Sequence, residues 1–281
     1  MSDTPRPIVI CAQQRSGTTV LQENLGQSPL VTNFSEVFHN LEEISPVNYL
    51  LFRIEQYRED PALSFPTEDD QRILFDRYME YLAAKSETPF YVMDIKYNSW
   101  HHFDTIWHGL FNRPSLVGLV RELDMPVIHV IRRDVFKQYV SNRFADKTQT
   151  WHHYASEDTK PNEIEIQIAP SKCQWAMEMS QRRTKQFRSW FHGHEKYIEL
   201  TYEEMFNDGR FSEQTLAAIN ALIGVDLQIP TSPVLKKVLG SVSKVIGNSD
   251  EIVQYFQGTQ FEKMVSSSLQ PQQMAAGTDA A

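Results

Sequence analysis

The pattern of residues 8–25 constrains the fold more than any other part of the chain. Residues 8–12 are apolar and typical of a buried strand, and residues 13–17 resemble a tight turn that leads into a helix. A helix that starts on such a turn directs free backbone N–H groups and the positive end of its dipole to one point. The sequence therefore predicts an anion site. The side chains that add donors there are those of Arg15, Ser16, Thr18 and Thr19.

Short apolar runs alternate with longer amphipathic segments along most of the chain. The predicted buried strands are residues 8–12, 90–95, 127–131 and 197–200. The predicted helices are residues 17–27, 69–85, 134–147, 170–191 and 212–223. Strands separated by helices indicate an α/β fold with a P-loop-like parallel sheet that is flanked by helices on both faces.

The organisation of the chain predicts one domain over residues 1–265, followed by a flexible tail over residues 266–281 that is rich in Gln, Ala and Gly. The 281 residues suffice for one large α/β domain, and no repeat or long linker divides them. Residues 148–169 and 224–248 are expected to be irregular. Loops of that length often cover functional sites.

Charge and composition exclude several classes of function. The formal net charge of −9 argues against general binding of nucleic acid or of anionic membranes. The two cysteines, Cys11 and Cys173, form no disulfide framework, and Cys11 is expected in the core. No apolar stretch has the length of a membrane span or the form of a signal peptide, so we expect a soluble cytoplasmic protein.

The predicted anion site departs from the nucleotide-binding P-loop at two positions. The P-loop pattern G-x-x-x-x-G-K-[ST] aligns with residues 12–19, where Ala12 replaces the first glycine and Thr18 replaces the lysine. Without that lysine, the chemistry of a γ-phosphate loses a principal cation. The loop suits a phosphate with Arg15 as the cation. The structural alternative is a turn in which Ser16 and Thr18 only cap a helix.

A second basic segment follows the strand at residues 127–131. Arg133 lies at the strand end, and Ser141 follows eight residues later, about 12 Å along a helix. If the chain bends back over the strand end, a guanidinium and a hydroxyl could bracket one phosphate. A solvated basic helix end is the alternative. The residues expected on solvated or cleft-rim faces are Arg132, Lys137, Arg143 and Lys147.

Residues 13–19, Gln-Gln-Arg-Ser-Gly-Thr-Thr, resemble the 5′-phosphosulfate loop of sulfotransferases that use 3′-phosphoadenylyl sulfate (PAPS). In that family an Arg and a Ser at the second spacing bind the 3′-phosphate, which implies this role for Arg133 and Ser141. The resemblance extends to four further segments. They are residues 35–38, 94–96, 200–205 and 244–251. Ser35 and Asp94 stand where glycine is common in the family. Residues 244–251, which include Lys244, are similar to a loop that closes on the nucleotide.

The resemblance is closest to bacterial carbohydrate sulfotransferases of the nodulation-factor and trehalose-sulfating kind, in which a similar helix leads into a segment like residues 148–151. It implies the sulfotransferase fold. It also implies metal-independent, in-line transfer of a sulfuryl group from PAPS to a hydroxyl group of a glycan or glycolipid acceptor. Arg15 would stabilise charge on the leaving phosphate, and Lys96 would add a second cation unless it is an ordinary surface lysine.

An alcohol acceptor also needs a general base within hydrogen-bond reach of its hydroxyl group. Glu36 is the first candidate, in a segment where the carbohydrate branch carries a glutamate, and His39 and His101 are its rivals. Alternatively, Glu36 begins a helix of its own. His152 and His153 lack neighbours at metal-ligand spacing, so zinc is not expected.

Acceptor recognition is expected in residues 37–88 and 148–172, where Trp151 and Tyr154 would stack on a sugar or on adenine, or anchor the loop. Two other functions remain open. One is a P-loop nucleotide kinase, and the other is a non-catalytic module that binds a nucleotide.

Overall fold

The computed structural model describes residues 4–41, 45–64, 67–104, 113–149, 153–154, 164–207, 210–232, 235–236 and 242–269. The chain divides into two compact units. The first unit comprises residues 1–133 and 182–234, and the second comprises residues 134–181 and 235–281.

The elements are numbered in chain order. The strands are β1 (Arg6–Ala12), β2 (Val31–Asn33), β3 (Phe90–Lys96), β4 (Val127–Ile131), β5 (His153–Tyr154), β6 (Tyr197–Thr201), β7 (Phe206–Asn207), β8 (Arg210–Phe211) and β9 (Leu235–Lys236). The α-helices are α1 (Thr18–Leu25), α2 (Tyr49–Glu59), α3 (Glu68–Lys85), α4 (Ser115–Glu122), α5 (Val135–Thr148), α6 (Pro170–Phe191), α7 (Glu213–Ile223), α8 (Ser249–Phe256) and α9 (Glu262–Leu269).

The first unit is built on a five-stranded parallel sheet in the order β2-β3-β1-β4-β6. Strand β1 lies between β3 and β4, so that Ala12 is paired with both Lys96 and Val130. The strand order changes direction at β1, and open α/β sheets bind ligands at the carboxyl ends of the strands beside such a point. The sheet thus brings the loop after β1, the end of β3 and the end of β4 to one edge.

Helices cover both faces of this sheet, as the sequence predicts. Successive strand residues point to opposite faces, so Cys11, Met93 and Val127 belong to one core cluster while Ile10 and Val92 belong to the other. The first cluster includes residues of α3, α4 and the end of α6, and the second includes residues of α1 and α7. The predicted α/β fold with a parallel sheet is therefore confirmed.

Local signals explain where the helices begin. Asn48 accepts hydrogen bonds from two backbone N–H groups at the start of α2, and Thr67 accepts one at the start of α3. Asp134 and Ser212 do the same for α5 and α7. Such caps satisfy N–H groups that have no partner inside the helix.

The second unit packs α5, the first half of α6, α8 and α9 around an apolar cluster that includes Phe136, Met177 and Phe256. Strands β5 and β9 pair in antiparallel fashion, and Ile166 forms a bridge with Ile246. Residues 148–169 and 224–248 were expected to be irregular, but parts of both pair as strands. Pairing joins backbone groups, so such short strands leave no pattern in the side chains. Trp151 and His152 lie outside the described residues.

The end of the chain differs from the expectation in one respect. Helix α9 continues to Leu269, so residues 266–269 of the predicted tail are helical, and residues 270–281 lie outside the described part. The single domain over residues 1–265 stays a prediction. Within the described ranges, no helix combines the length and the apolar character that crossing a membrane requires.

Candidate active site

The loop between β1 and α1 has the backbone of an anion site. Arg15 and Gly17 have positive φ angles of 64° and 85°, and Gly17 is the N-cap residue of α1 without a side-chain hydrogen bond. The first N–H groups of a helix have no partner within it. Ser16 and Thr18 are buried, and neither occupies the N-cap position. The structure therefore does not support the alternative in which they serve only as caps.

Glycine is required at position 17 for two reasons. Its φ angle lies in the left-handed region, and a Cβ atom there would come within 2.4 Å of Cδ2 of Tyr202. Tyr202 follows β6, and its backbone N–H donates to the carbonyl of Ile131 at the end of β4. The Tyr202 ring therefore packs against the loop where the helix begins.

Arg132 supports the same loop from the end of β4. Its Nη1 donates to the carbonyl oxygen of Arg15 at 2.9 Å, and its guanidinium carbon lies 4.7 Å from the centre of the Tyr202 ring. The second contact has cation–π geometry. Arg132 was expected on a solvated or cleft-rim face. The expectation of a solvated face is wrong, because the carbonyl of Arg15 and the ring of Tyr202 hold the side chain against the loop.

Lys96, at the end of β3, connects three elements through its ammonium group. Its Nζ lies 2.6 Å from Oγ1 of Thr18 and 3.1 Å from Oε1 of Glu36, and it also contacts Oδ2 of Asp94. The Lys96 side chain is only 5% exposed, so it is not an ordinary surface lysine. An ammonium has three donors, and here three oxygens surround it. The predicted base, the predicted second cation and the start of α1 thus meet at one point.

Burial and charge act in opposite directions on this cluster. Burial raises the pKa of the Asp94 carboxyl, while Lys96 lowers it, and the net pKa is raised. Burial lowers the pKa of Lys96, but the carboxylates of Asp94 and Glu36 raise it by more, so the net pKa of the ammonium is raised. Lys96 therefore stays charged at neutral pH.

Glu36 lies in the loop after β2 and not in a helix. Ser35, with a φ angle of 60°, accepts a hydrogen bond from the backbone N–H of Asp94, which fixes this loop beside β3. The next described helix begins at Tyr49, so the alternative in which Glu36 begins its own helix is wrong. The Glu36 side chain is 19% exposed, which leaves it open to a ligand.

The two rival bases have other contacts. Nδ1 of His39 accepts a hydrogen bond from the backbone of Leu41, and Nδ1 of His101 lies 3.4 Å from Asp104. Of the three candidates, Glu36 is the one whose contacts place it in the cluster with Lys96 and Thr18.

Comparison with known protein families agrees with this geometry. The family profile described as Stf0 sulphotransferase matches residues 7–247, which include the loop after β1, Glu36 and Lys96. The chain belongs to the Stf0 sulphotransferase family. This sulfotransferase is therefore an enzyme of sulfuryl transfer.

Solved structures that align with this sulfotransferase share little sequence with it. A sulfotransferase from Alicyclobacillus acidocaldarius has 12% identity and a TM-score of 0.45, with 94% of this chain and 95% of that chain covered. A mouse sulfotransferase complexed with PAP has 12% identity and a TM-score of 0.45, with coverage of 94% and 90%. A Mycobacterium avium sulfotransferase has 15% identity and a TM-score of 0.36, with coverage of 91% and 76%. A comparison with curated proteins gave no match.

The two residues predicted to bind the 3′-phosphate, Arg133 and Ser141, belong to different units of this sulfotransferase. Arg133 is exposed in the first unit, where its Nη2 pairs with Glu204 at 2.7 Å and its backbone N–H donates to Glu203. Ser141 is buried on α5 and Lys244 is exposed in a 3-10 helix, both in the second unit. The binding of one phosphate by Arg133 and Ser141 stays a prediction, as does the role of Lys244 in a loop that closes on the nucleotide.

Three residues of the site were missed at the level of sequence. Asp94 is the buried partner of Lys96, while Arg132 and Tyr202 support the loop after β1. A signal existed for Asp94, because a carboxylate within an apolar strand requires a buried partner. Among the described residues, no group of three or more His, Cys, Asp or Glu side chains is arranged to hold a metal ion.

Proposed function

We propose that this sulfotransferase uses PAPS as its donor and transfers the sulfuryl group to a hydroxyl group of a carbohydrate-containing acceptor, a glycan or a glycolipid. The observation that carries the proposal is the contact of Lys96 with both Glu36 and Thr18. It joins a carboxylate that can accept a proton to the start of a helix that can bind a phosphate.

The proposed reaction is a single in-line displacement. The acceptor oxygen forms a bond to sulfur while the bond between sulfur and the bridging oxygen breaks, and the hydroxyl proton passes to Glu36. Charge then builds on the 5′-phosphate of the leaving nucleotide, where Arg15, the loop N–H groups and Lys96 would stabilise it. Ser16, Thr18 and Thr19 would add hydroxyl donors. A transferred sulfuryl group carries one negative charge, so this transfer requires no metal ion.

Recognition of the 3′-phosphate is assigned to Arg133 and Ser141, and Lys244 belongs to the loop that would close on the nucleotide. The guanidinium of Arg133 is 60% exposed and pairs with a carboxylate that is 62% exposed. Such surface pairs are weak, about 0–1 kcal/mol, so a phosphate can replace Glu204 at little cost.

The two other functions are less well supported. A nucleotide kinase would need a lysine at position 18, where Thr18 instead contacts Lys96. A non-catalytic module would have no use for a carboxylate held beside the phosphate loop, as Glu36 is.

Isothermal titration with adenosine 3′,5′-bisphosphate and with AMP tests the donor assignment. We expect the bisphosphate to bind at least tenfold more tightly than AMP. Arg133→Gln should remove most of this difference. Arg143→Gln, which removes another exposed arginine that pairs with an acidic neighbour, should preserve it. Equal binding of AMP and the bisphosphate by the unaltered protein would refute the donor assignment.

A screen with labelled PAPS tests the acceptor class. Sugars, glycolipids, lipids without sugars and phenols are offered separately, and transfer of the label is measured for each. We expect transfer to sugar-containing acceptors. Transfer to phenols alone would disprove the carbohydrate assignment, and tight bisphosphate binding without transfer to any acceptor would favour the non-catalytic module.

A further inference from the structure

Asp94 is a buried carboxylate that the proposed reaction does not use. Its side chain is fully buried in β3, and it contacts the ammonium of Lys96. Burial of a charge is costly unless a partner compensates it. Lys96 has a second carboxylate partner in Glu36, so one ammonium compensates two carboxylates.

With both carboxyl groups ionised, as the test at pH 8 is designed to ensure, the cluster of Asp94, Lys96 and Glu36 carries two negative charges and one positive charge. The neighbouring element that contacts it is α1, through the hydroxyl of Thr18, which carries no charge. Within this cluster, Lys96 is therefore the cation that both carboxylates share.

The transferred group of the donor must lie close to this cluster. Glu36 can act on the acceptor hydroxyl only within hydrogen-bond reach, and that hydroxyl attacks the terminal group of the donor. The terminal group therefore lies next to the pair of Glu36 and Lys96. Asp94 contacts the same ammonium.

We propose that Asp94 is a specificity-determining residue that favours a terminal sulfate with one negative charge over a terminal phosphate with two. The inference rests on the proposed function, because it assumes a donor whose terminal group is bound at the loop after β1. A phosphate monoester carries between 1.5 and 2 negative charges at about pH 7, whereas a sulfate ester carries one. The additional half to full charge is repelled by the second carboxylate. At a separation of about 6–10 Å and an effective dielectric constant of about 20, this lowers affinity by about tenfold.

The test compares two ligands that differ only in the terminal group, PAPS and 3′-phosphoadenosine 5′-diphosphate. Dissociation constants are measured by isothermal titration at pH 8, without acceptor, for the full chain and for Asp94→Asn. We expect the unaltered protein to bind PAPS about tenfold more tightly than the diphosphate. In Asp94→Asn the ratio of the two constants should approach one. General damage to the site changes both constants alike and leaves their ratio unchanged.

Two further variants complete the test. Asp94→Ser also removes the charge. If thermal unfolding shows that Asp94→Asn does not fold, the two dissociation constants are measured for Asp94→Ser instead. Glu55→Gln removes an exposed carboxylate on α2 and should preserve the ratio of the unaltered protein.

Each remaining outcome has one meaning. Equal affinity of the unaltered protein for the two ligands would overturn the specificity proposal and leave the proposed function intact. A ratio that survives both Asp94 substitutions would overturn the role of Asp94. Failure of the unaltered protein to bind either ligand would overturn the donor assignment itself and, with it, this inference.

Discussion

The Lys96 ammonium lies 3.1 Å from Oε1 of Glu36 and is itself almost completely buried. This pairing orients a carboxylate that lies on a loop, because the ammonium is held in turn by Thr18 and Asp94. Rigid placement of a catalytic group reduces the entropy that must be lost on reaching the transition state. The ion pair thus gives the loop residue Glu36 a position that the sheet determines.

Glu36→Gln should lower turnover by about 10²–10⁴-fold, the usual contribution of a general base. Glutamine retains an oxygen that can accept a hydrogen bond from Lys96, but it does not take up a proton at neutral pH. Binding of adenosine 3′,5′-bisphosphate should not weaken. Turnover is measured with labelled PAPS and the acceptor found by the screen, and Glu55→Gln serves as the matched control. An active Glu36→Gln enzyme would shift the role of base to His39 or His101, to be resolved by substituting each with glutamine.

Gly17→Ala should lower the free energy of unfolding by more than the usual cost of placing alanine at a positive φ angle. A non-glycine residue at positive φ costs about 1–2 kcal/mol, and here the added methyl group also meets the Tyr202 ring. Gly193→Ala is the matched control, since its φ angle is 74° and nothing lies within 4 Å of the added Cβ atom. Urea unfolding of both variants gives the comparison. Equal losses in free energy of unfolding would show that the ring moves aside without cost.

Arg132→Lys should weaken binding of adenosine 3′,5′-bisphosphate by about tenfold while the free energy of unfolding changes little. Lysine keeps the charge but loses the planar group that contacts both Tyr202 and the carbonyl of Arg15. Titration measures the affinity, and Arg58→Lys, at an exposed arginine on α2, is the control. Unchanged affinity in Arg132→Lys would mean that the loop keeps its backbone without this support.

The central strands of the sheet could be predicted because each is a mostly apolar run between polar segments, although β3 contains Asp94 and β4 contains His129. The prediction missed β2, which has only three residues, and α4, whose eight residues include Gly118. Helix α2 was also missed, since Leu51 and Ile54 are exposed on it and weaken its amphipathic pattern. Segments as short or as mixed as these are formed by tertiary packing rather than by local propensity.

The sequence predicted those residues of the site that lie at the carboxyl ends of strands. Lys96 and the loop after β1 meet because parallel strands place their carboxyl ends at one edge. The sequence did not reveal that Arg132 supports the loop after β1, because that role depends on contacts with Arg15 and Tyr202 that are distant in sequence. The environments of Arg132 and Arg133 in the first unit differ, since Arg132 contacts Tyr202 and Arg133 pairs with Glu204.

A second polar network lies inside the first unit, around the fully buried His129 on β4. Its two ring nitrogens contact the hydroxyl groups of Tyr97 and Tyr197, and Nδ1 lies 3.7 Å from Glu199. Burial lowers the pKa of His129 below its ordinary value, although Glu199 acts in the opposite direction. The imidazole is therefore neutral in the folded protein at pH 7.

This network makes stability depend on pH below about 6.5, the ordinary pKa of histidine. There the unfolded chain binds a proton that the folded chain does not, so the free energy of unfolding falls as the pH falls, by up to about 1.4 kcal/mol per pH unit. Burial alone would raise the pKa of Glu199, but hydrogen bonds from His129, Arg188 and Tyr197 lower it. The stability that Glu199 contributes is therefore lost only at more acidic pH, below the interval from about pH 5.5 to 7.5 in which the histidine is tested.

His129→Gln should reduce this pH dependence, whatever its effect on the stability at pH 7.5. Glutamine does not titrate in this interval, so the proton taken up at position 129 in the unfolded state is removed. The free energy of unfolding in urea is measured at pH 5.5 and 7.5 for the unaltered protein, for His129→Gln and for His192→Gln, whose histidine is exposed. We expect the difference between the two pH values to shrink only in His129→Gln. If His192→Gln reduced it equally, or His129→Gln left it unchanged, the buried imidazole would not be the group whose protonation is linked to unfolding.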